Sequence, residues 1–181
     1  SEGTASVHLR EQQRVSDPAA LCKTLANGRA AAAFDASFEN ASFSGENGVF
    51  LLSLADQTEE QRHAALRALF TGLPPIICHD SKRIYRFCLD NHLPAPSFSM
   101  DTRLAAYLLN QPLDFETLAR RFLSVNAEQP VDQPMAPAGD NQPEEQMDLF
   151  SALENQTENQ IPLDEALRMQ SEQLLALEPL L

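Results

Sequence analysis

Few residues of this chain could carry out chemistry, and those that could follow short apolar runs. Asp35 follows the run 29–34, and His79 and Asp80 follow the run 76–78. Carboxylates are the ligands that Mg²⁺ and Mn²⁺ require. Nothing in the spacing favours a metal site shared by Asp35, His79 and Asp80, so each carboxylate also has a simpler interpretation. Asp35 would be a polar residue at a strand end, hydrogen-bonded to a nearby helix start, and Asp80 would be the N-cap of the next helix.

Basic side chains follow the second of these runs. Lys82, Arg83 and Arg86 lie near the start of a predicted helix. Side chains of this kind contact nucleic-acid phosphates, so the three are candidate DNA-contact residues. Contact with a neighbouring domain and a solvated helix face are the alternatives. Later predicted helices carry three more arginines: Arg103, Arg120 and Arg121.

The elements that must position these residues are predicted from hydrophobic periodicity and from Pro and Gly breaks. From residue 76 to residue 123, a strand, a helix, a second strand (97–100) and a helix beginning at Asp101 follow one another with short breaks. Such alternation is typical of an α/β unit with parallel strands. In the helix after Asp101, Leu104, Tyr107 and Leu108 share one face. The upstream elements are a strand within 6–14, a helix over 18–25, a hairpin of 40–46 and 49–54, and a helix over 58–70.

Three segments of the chain resemble the 3′–5′ exonuclease domain of bacterial DNA polymerase I. They are residues 79–83 (HDSKR), 100–110 (MDTRLAAYLLN) and 118–123 (LARRFL), and their spacing matches the family without gaps. The resemblance covers residues 6–123 and resumes weakly over 162–181. It implies an α/β fold of the ribonuclease-H-like kind, with a mixed sheet of about five strands flanked by helices. It also makes the run 29–34 the central strand, although its alanines favour helix by propensity.

Exonucleases of this family hold two divalent metals, roughly 4 Å apart, with four carboxylates. The resemblance places the first motif, Asp-x-Glu, on Asp35 and Ser37, so the Asp remains and the Glu is replaced. The Asp of the second motif falls on Ile84, and Asp80 falls where the family usually has Asn. The third motif, Tyr-x-x-x-Asp, falls near two leucines, with two acidic residues close by that could supply a shifted ligand. These four residues are Leu163, Leu167, Asp164 and Glu165.

One carboxylate of four at its expected position cannot hold two metals. The resemblance therefore predicts a catalytically inactive exonuclease domain with no cofactor. It would act as a structural scaffold beside the adjoining polymerase domain of a DNA-directed DNA polymerase, and would meet DNA through that parent enzyme. The alternative is an active Mg²⁺- or Mn²⁺-dependent exonuclease with displaced ligands, namely Asp35, Asp80 and either Asp164 or Glu165.

Residues 124–160 differ in composition from the rest of the chain. They contain eight acidic residues, four prolines and no Lys or Arg, which predicts a flexible insert within a single domain spanning 1–181. A helix over 162–181 would close the fold. Within the insert, Gln146, Asp148, Leu149 and Phe150 resemble the short peptide by which bacterial replication proteins bind the sliding clamp, which makes the clamp a candidate partner. The alternative is a short helix that packs on the domain.

Composition narrows the class of protein. The net charge of -13 argues against strong DNA binding by this chain alone, because phosphate neutralisation supplies most of the affinity of a nucleic-acid binder. No apolar run approaches the roughly 20 residues that a membrane span needs. The three cysteines, Cys22, Cys78 and Cys88, lie in apolar contexts and are predicted to be core residues in a reducing, cytoplasmic setting. The chain does not begin with Met, and we expect it to be part of a longer protein.

Overall fold

The computed structural model describes residues 4–125 and 161–181. Residues 4–125 and 163–181 belong to one compact unit. The strands are β1 (Ala5–Val7), β2 (Gln12–Val15), β3 (Ala30–Phe34), β4 (Asn40–Gly45), β5 (Gly48–Ser53), β6 (Ile76–Cys78), β7 (Phe98–Asp101) and β8 (Leu123–Val125). The helices are α1 (Pro18–Leu25), α2 (Glu59–Gly72), α3 (Ser81–Asp90), α4 (Thr102–Leu108), α5 (Phe115–Phe122) and α6 (Leu163–Leu177), followed by a 3₁₀ turn at Glu178–Leu180.

Six strands form one mixed sheet in the order β2-β5-β4-β3-β6-β7. Only β4 runs antiparallel to its neighbours, and the other pairs in this sheet are parallel. The predicted α/β class is confirmed, with six strands in the main sheet instead of about five. The predicted single strand within 6–14 is two strands in different sheets, because β1 pairs with β8 in a separate two-stranded parallel sheet.

The central strand β3 is buried on both faces. Ala30, Ala32 and Phe34 pack on the side of α1, α2 and α3, and Ala31 and Ala33 pack on the side of α6. Successive side chains of a strand point to opposite faces, so a continuous apolar run fits a strand that is covered on both sides. The prediction of a strand here, which went against alanine's helix propensity, is confirmed.

Helix α4 buries a different face from the one that its apolar pattern would favour. In α4, Leu104, Tyr107 and Leu108 do share a face, but that face is 57–74% exposed. The buried positions of α4 are Thr102 and Ala106, whose side chains are smaller. The small side chain of Ala106 packs in a second core together with α5 and the end of α6.

All three cysteines are free and buried, as predicted for core residues. Burial raises the pKa of the Cys88 thiol to about 11, and it also raises the pKa values of Cys22 and Cys78. The thiols are therefore protonated near neutral pH and act as small apolar side chains. In the described part of the chain, no helix is both long enough and apolar enough to cross a membrane.

Helix α6 is attached to the sheet by polar contacts as well as by leucines. The buried Ser171 hydroxyl lies 3.0 Å from the Ser42 hydroxyl and 2.8 Å from the Ser44 hydroxyl on β4. One residue further along, Glu172 is 5% exposed and accepts two hydrogen bonds from the Arg10 guanidinium, at 2.7 and 3.1 Å, and one from the Arg10 amide. Burial raises the pKa of Glu172, but the hydrogen bonds from Arg10 outweigh it and the net pKa is lowered.

Glu172→Gln should lower the free energy of unfolding by about 2 kcal/mol, because it leaves Arg10 half-buried without its counter-charge. Urea denaturation at pH 7 would measure this. Glu178→Gln is the control, since its ion pair with Arg29 is more exposed and should contribute less. Equal losses for the two variants would contradict the assignment of Glu172 as the main polar attachment of α6.

Candidate functional site

The residues whose side chains could carry out chemistry lie at one edge of the sheet. Strands β3, β6 and β7 are parallel, so their carboxyl ends meet at the same edge. Asp35 directly follows β3, His79 directly follows β6, and Asp101 is the last residue of β7. In open α/β sheets, this edge is where ligands generally bind. The structure therefore brings the predicted site residues from the first two motifs to a common edge.

Asp35 uses its carboxylate to fold the turn between β3 and β4. It accepts hydrogen bonds from the Glu39 amide at 3.0 Å, the Asn40 amide at 3.1 Å and the Asn40 side chain at 2.9 Å. The Ser37 hydroxyl donates a fourth, at 3.3 Å. Asp35 was expected to bond to a helix start. Its partners instead belong to the β3–β4 turn and the start of β4, because the chain turns directly into the next strand.

Arg83 places a guanidinium at the end of β3. Its two terminal nitrogens each donate to a main-chain carbonyl, those of Asp35 and Phe34, both at 3.1 Å. The guanidinium also lies 4.7 Å from the centre of the Phe38 ring. A positive charge is therefore held beside Asp35, at the strand end where the family resemblance would place metal ions.

Ser37 and Ile84, which the resemblance places at motif positions that are carboxylates in the family, lie in opposite environments. Ser37 is exposed on the β3–β4 turn, and its hydroxyl bonds to Asp35. Ile84 is 2% exposed and belongs to the core between α3 and the sheet. Its side chain faces this core.

Asp80 occupies the N-cap position of α3, but its carboxylate makes no capping hydrogen bond. The cap comes from Asp101, which accepts from the Asp80 amide at 2.9 Å, the Ser81 amide at 2.8 Å and the Ser81 hydroxyl at 2.7 Å. Asp80 is thus the N-cap residue of α3, as predicted, but its side chain does not make the hydrogen bond expected of a cap. Its φ of 73° turns the amide of Asp80 toward Asp101, and the carboxylate is left outside the cap.

Asp101 also caps its own helix, α4, through the amides of Arg103 at 2.9 Å and Leu104 at 3.3 Å. One carboxylate therefore accepts hydrogen bonds from the starts of two helices, which follow the neighbouring strands β6 and β7. Burial raises the pKa of Asp101, but the hydrogen bonds from Ser81, Asp80 and Leu104 outweigh it and the net pKa is lowered. Sequence reasoning identified Asp101 as a helix start and missed its second role.

His79 is a structural residue at this edge. Its Nε2 lies 2.8 Å from the Leu113 carbonyl and its Nδ1 lies 2.8 Å from the Thr102 hydroxyl. Because a carbonyl only accepts, Nε2 carries the proton that is donated to Leu113. Nδ1 pairs with the Thr102 hydroxyl, which also lies 3.3 Å from the Cys78 carbonyl. Burial lowers the pKa of His79 by more than the Leu113 carbonyl and the nearby carboxylates raise it. Both ring nitrogens of the neutral imidazole are thus occupied.

The residues that the resemblance places near the third motif lie at the start of α6. Asp164 forms an ion pair with Arg14 on β2 at 2.6 Å, and Glu165 forms one with Arg168 at 3.5 Å. Leu163 is exposed and Leu167 is buried. Across residues 4–125 and 161–181, no three His, Cys, Asp or Glu side chains are grouped so that they could hold a metal ion. The displaced ligands Asp35, Asp80 and Asp164 or Glu165 are thus not gathered in one group.

The three candidate DNA-contact residues do come together, and a fourth cation joins them. Lys82, Arg83 and Arg86 from α3 and Arg103 from α4 line a pocket of about 320 Å³, together with Asp80. We call this the α3–α4 pocket. The sequence placed Arg103 on a later helix, and only the adjacency of β6 and β7 brings it to α3. Arg120 and Arg121 lie on α5 and do not line the pocket.

The clamp-binding prediction for Gln146, Asp148, Leu149 and Phe150 falls outside the described residues and stays a prediction. The flexible insert predicted over 124–160 begins too early, because Ser124 and Val125 belong to β8 and pair with β1. Its remaining residues, 126–160, lie outside the described part of the chain. In comparisons with known proteins, no family model and no curated protein matches the chain.

Proposed function

We propose that this chain is the catalytically inactive 3′–5′ exonuclease domain of a bacterial DNA polymerase I, serving as a structural scaffold in DNA replication and repair. The three resembling segments support the proposal, and the mixed α/β sheet is compatible with a ribonuclease-H-like fold. The adjoining polymerase domain is the proposed partner, and the parent enzyme is what binds DNA.

The observation that carries the proposal is the position of Arg83. A nuclease of this family needs negative oxygen atoms at the end of the central strand to collect divalent cations. Here a guanidinium donates to the carbonyls of Phe34 and Asp35 at the end of β3, and the Asp35 carboxylate accepts from four donors of the β3–β4 turn and the start of β4. A fixed positive charge beside Asp35 opposes metal binding by electrostatic repulsion.

Titration of Mn²⁺ into the full chain by calorimetry should show no tight two-site binding, and incubation with a single-stranded oligonucleotide and Mn²⁺ should release no nucleotides. Asp35→Ala provides the matched control, because it removes the remnant carboxylate. Under the proposal, Asp35→Ala changes stability only and leaves the metal titration unaltered. Two-site binding or 3′ trimming that Asp35→Ala abolishes would support the alternative, an active exonuclease with displaced ligands.

A further inference from the structure

We propose that the α3–α4 pocket is a binding site for a phosphate group, built from cations on two different helices. The proposal extends the predicted DNA contact in two ways. It adds Arg103 as a ligand from a second helix, and it assigns Asp80 as the acidic residue that limits affinity. Phosphate binding does not depend on the proposed function, whereas a nucleic-acid source for the phosphate does.

The charge of the pocket is opposite to that of the chain. All five lining side chains are charged, and four of them are positive, although the chain carries a net charge of -13 and only 13 Lys and Arg residues. Six other arginines form ion pairs with acidic side chains. Within the described residues, the four pocket cations form no ion pair. Unpaired cations that share one pocket repel each other, so a bound anion would relieve the repulsion.

The pocket is formed by two helix starts whose separation is fixed. On α3, Lys82 and Arg86 are four residues apart and Arg83 and Arg86 are three apart, so the three side chains share one side of the helix. Arg103 is in the first turn of α4. Asp101 bonds to both helix starts and so fixes them relative to each other. Such preorganisation lowers the entropic cost of gathering cations around an anion.

The ligand would be bound by side chains and not by the free amides of a helix start. The amides of Asp80, Ser81, Arg103 and Leu104 already donate to Asp101. The Arg83 guanidinium is partly used on the β3 carbonyls, so it contributes mainly charge. The side chains of Lys82, Arg86 and Arg103 are exposed, and they remain to donate hydrogen bonds to a ligand.

The chemistry of the lining points to a phosphate group. Every side chain that lines the pocket is charged, so the lining favours a charged ligand over a hydrophobic one. Two exposed arginines and one lysine match the oxygens of phosphate, which arginine binds through two parallel N–H bonds and lysine binds as a point charge. Phosphate groups are supplied by free phosphates and nucleotides or by the phosphodiester backbone of a nucleic-acid strand.

The test is to titrate inorganic pyrophosphate and a single-stranded oligonucleotide, separately, into the full chain at low salt. Arg86→Gln and Arg103→Gln should each weaken binding by about tenfold, the effect of losing one charge-assisted hydrogen bond. Arg120→Gln and Arg121→Gln remove the same charge from α5 and are the matched controls. They should change affinity by less than about twofold.

Asp80→Asn makes the proposal testable by a gain of affinity, which unfolding could not produce. It removes the one negative charge of the lining, and Asn tolerates the positive φ of this position as Asp does. We expect pyrophosphate to bind several-fold more tightly. If neither probe binds, or if the α5 controls weaken binding as much as Arg86→Gln does, the proposal is overturned.

The two probes distinguish the source of the phosphate. If a nucleic-acid strand is the natural ligand, the oligonucleotide should bind more tightly than pyrophosphate. The slope of log K against log salt concentration for the oligonucleotide should then become less steep by about 0.7 for each pocket cation removed. If only pyrophosphate binds and responds to the variants, the site takes free phosphates, and this result would leave the Mn²⁺ test of the proposed function unaffected.

Discussion

Ile84→Asp should lower the free energy of unfolding by about 5 kcal/mol, because it removes a buried aliphatic side chain and places a carboxylate in the core. Ile84 is 2% exposed and packs in the same cluster as Phe38 and Cys88. The substitution restores the residue type that the family resemblance expects at this position. Even so, it should not create a metal site, since the side chain points into the core.

Chemical denaturation at pH 7, with and without Mn²⁺, would measure both expectations. Ile84→Ala is the control, because it makes the cavity without the charge and should cost about 3 kcal/mol. The difference between the two variants reports the burial of the carboxylate. An Ile84→Asp variant that recovers stability on addition of Mn²⁺ would show that position 84 reaches a metal, and would contradict the assignment of Ile84 to the core.

Asp101→Ala should destabilise the domain by about 3 kcal/mol, because two helix starts lose their caps at once. Four main-chain amides and the Ser81 hydroxyl would be left without their acceptor. Urea denaturation at pH 7 measures the loss. Asp114→Ala is the control, because Asp114 caps α5 alone through the amide and hydroxyl of Thr117, and its loss should be smaller.

The contribution of Asp101 should depend on pH in one direction. Its pKa in the folded chain is below the ordinary value of about 4 that it has when unfolded. The stabilisation is therefore fully present above that value and is lost as the pH falls through the folded pKa. The difference in stability between the wild type and Asp101→Asn should be constant near neutral pH and should shrink in acid. A difference that grows in acid would contradict the double cap.

The sequence predicted the elements with local signals well. Asp17 and Pro18 begin α1, Thr58 begins α2 with a complete capping box, and Asn47-Gly48 lies at the hairpin. Each of these signals acts within a few residues, so the neighbouring sequence is enough to specify the structure. The short pairing of β1 with β8 has no such signal, because its partners are more than 100 residues apart.

The candidate site was predicted only in part, for the same physical reason. Its residues could be identified as reactive types near strand ends. Their roles depend on contacts between elements: Arg83 with the carbonyls of β3, Asp101 with α3, and Arg103 with the cations of α3. The sequence around α3 pointed to Asp80 as the residue whose side chain caps the helix. The acceptor is Asp101 on the adjacent strand, and the local sequence of α3 gives no sign of it.

The serine contacts beneath α6 determine how far along its axis the helix lies. A shift of one turn would bring Leu167 or Leu175 opposite Ser42 and Ser44, and each hydrogen bond lost with Ser171 would cost about 1 kcal/mol. Leucine contacts alone would tolerate sliding better, because apolar attraction is not directional. We therefore expect insertions or deletions before residue 161 to leave this helix in the same register, since the sheet itself, and not the length of the connection, sets its position.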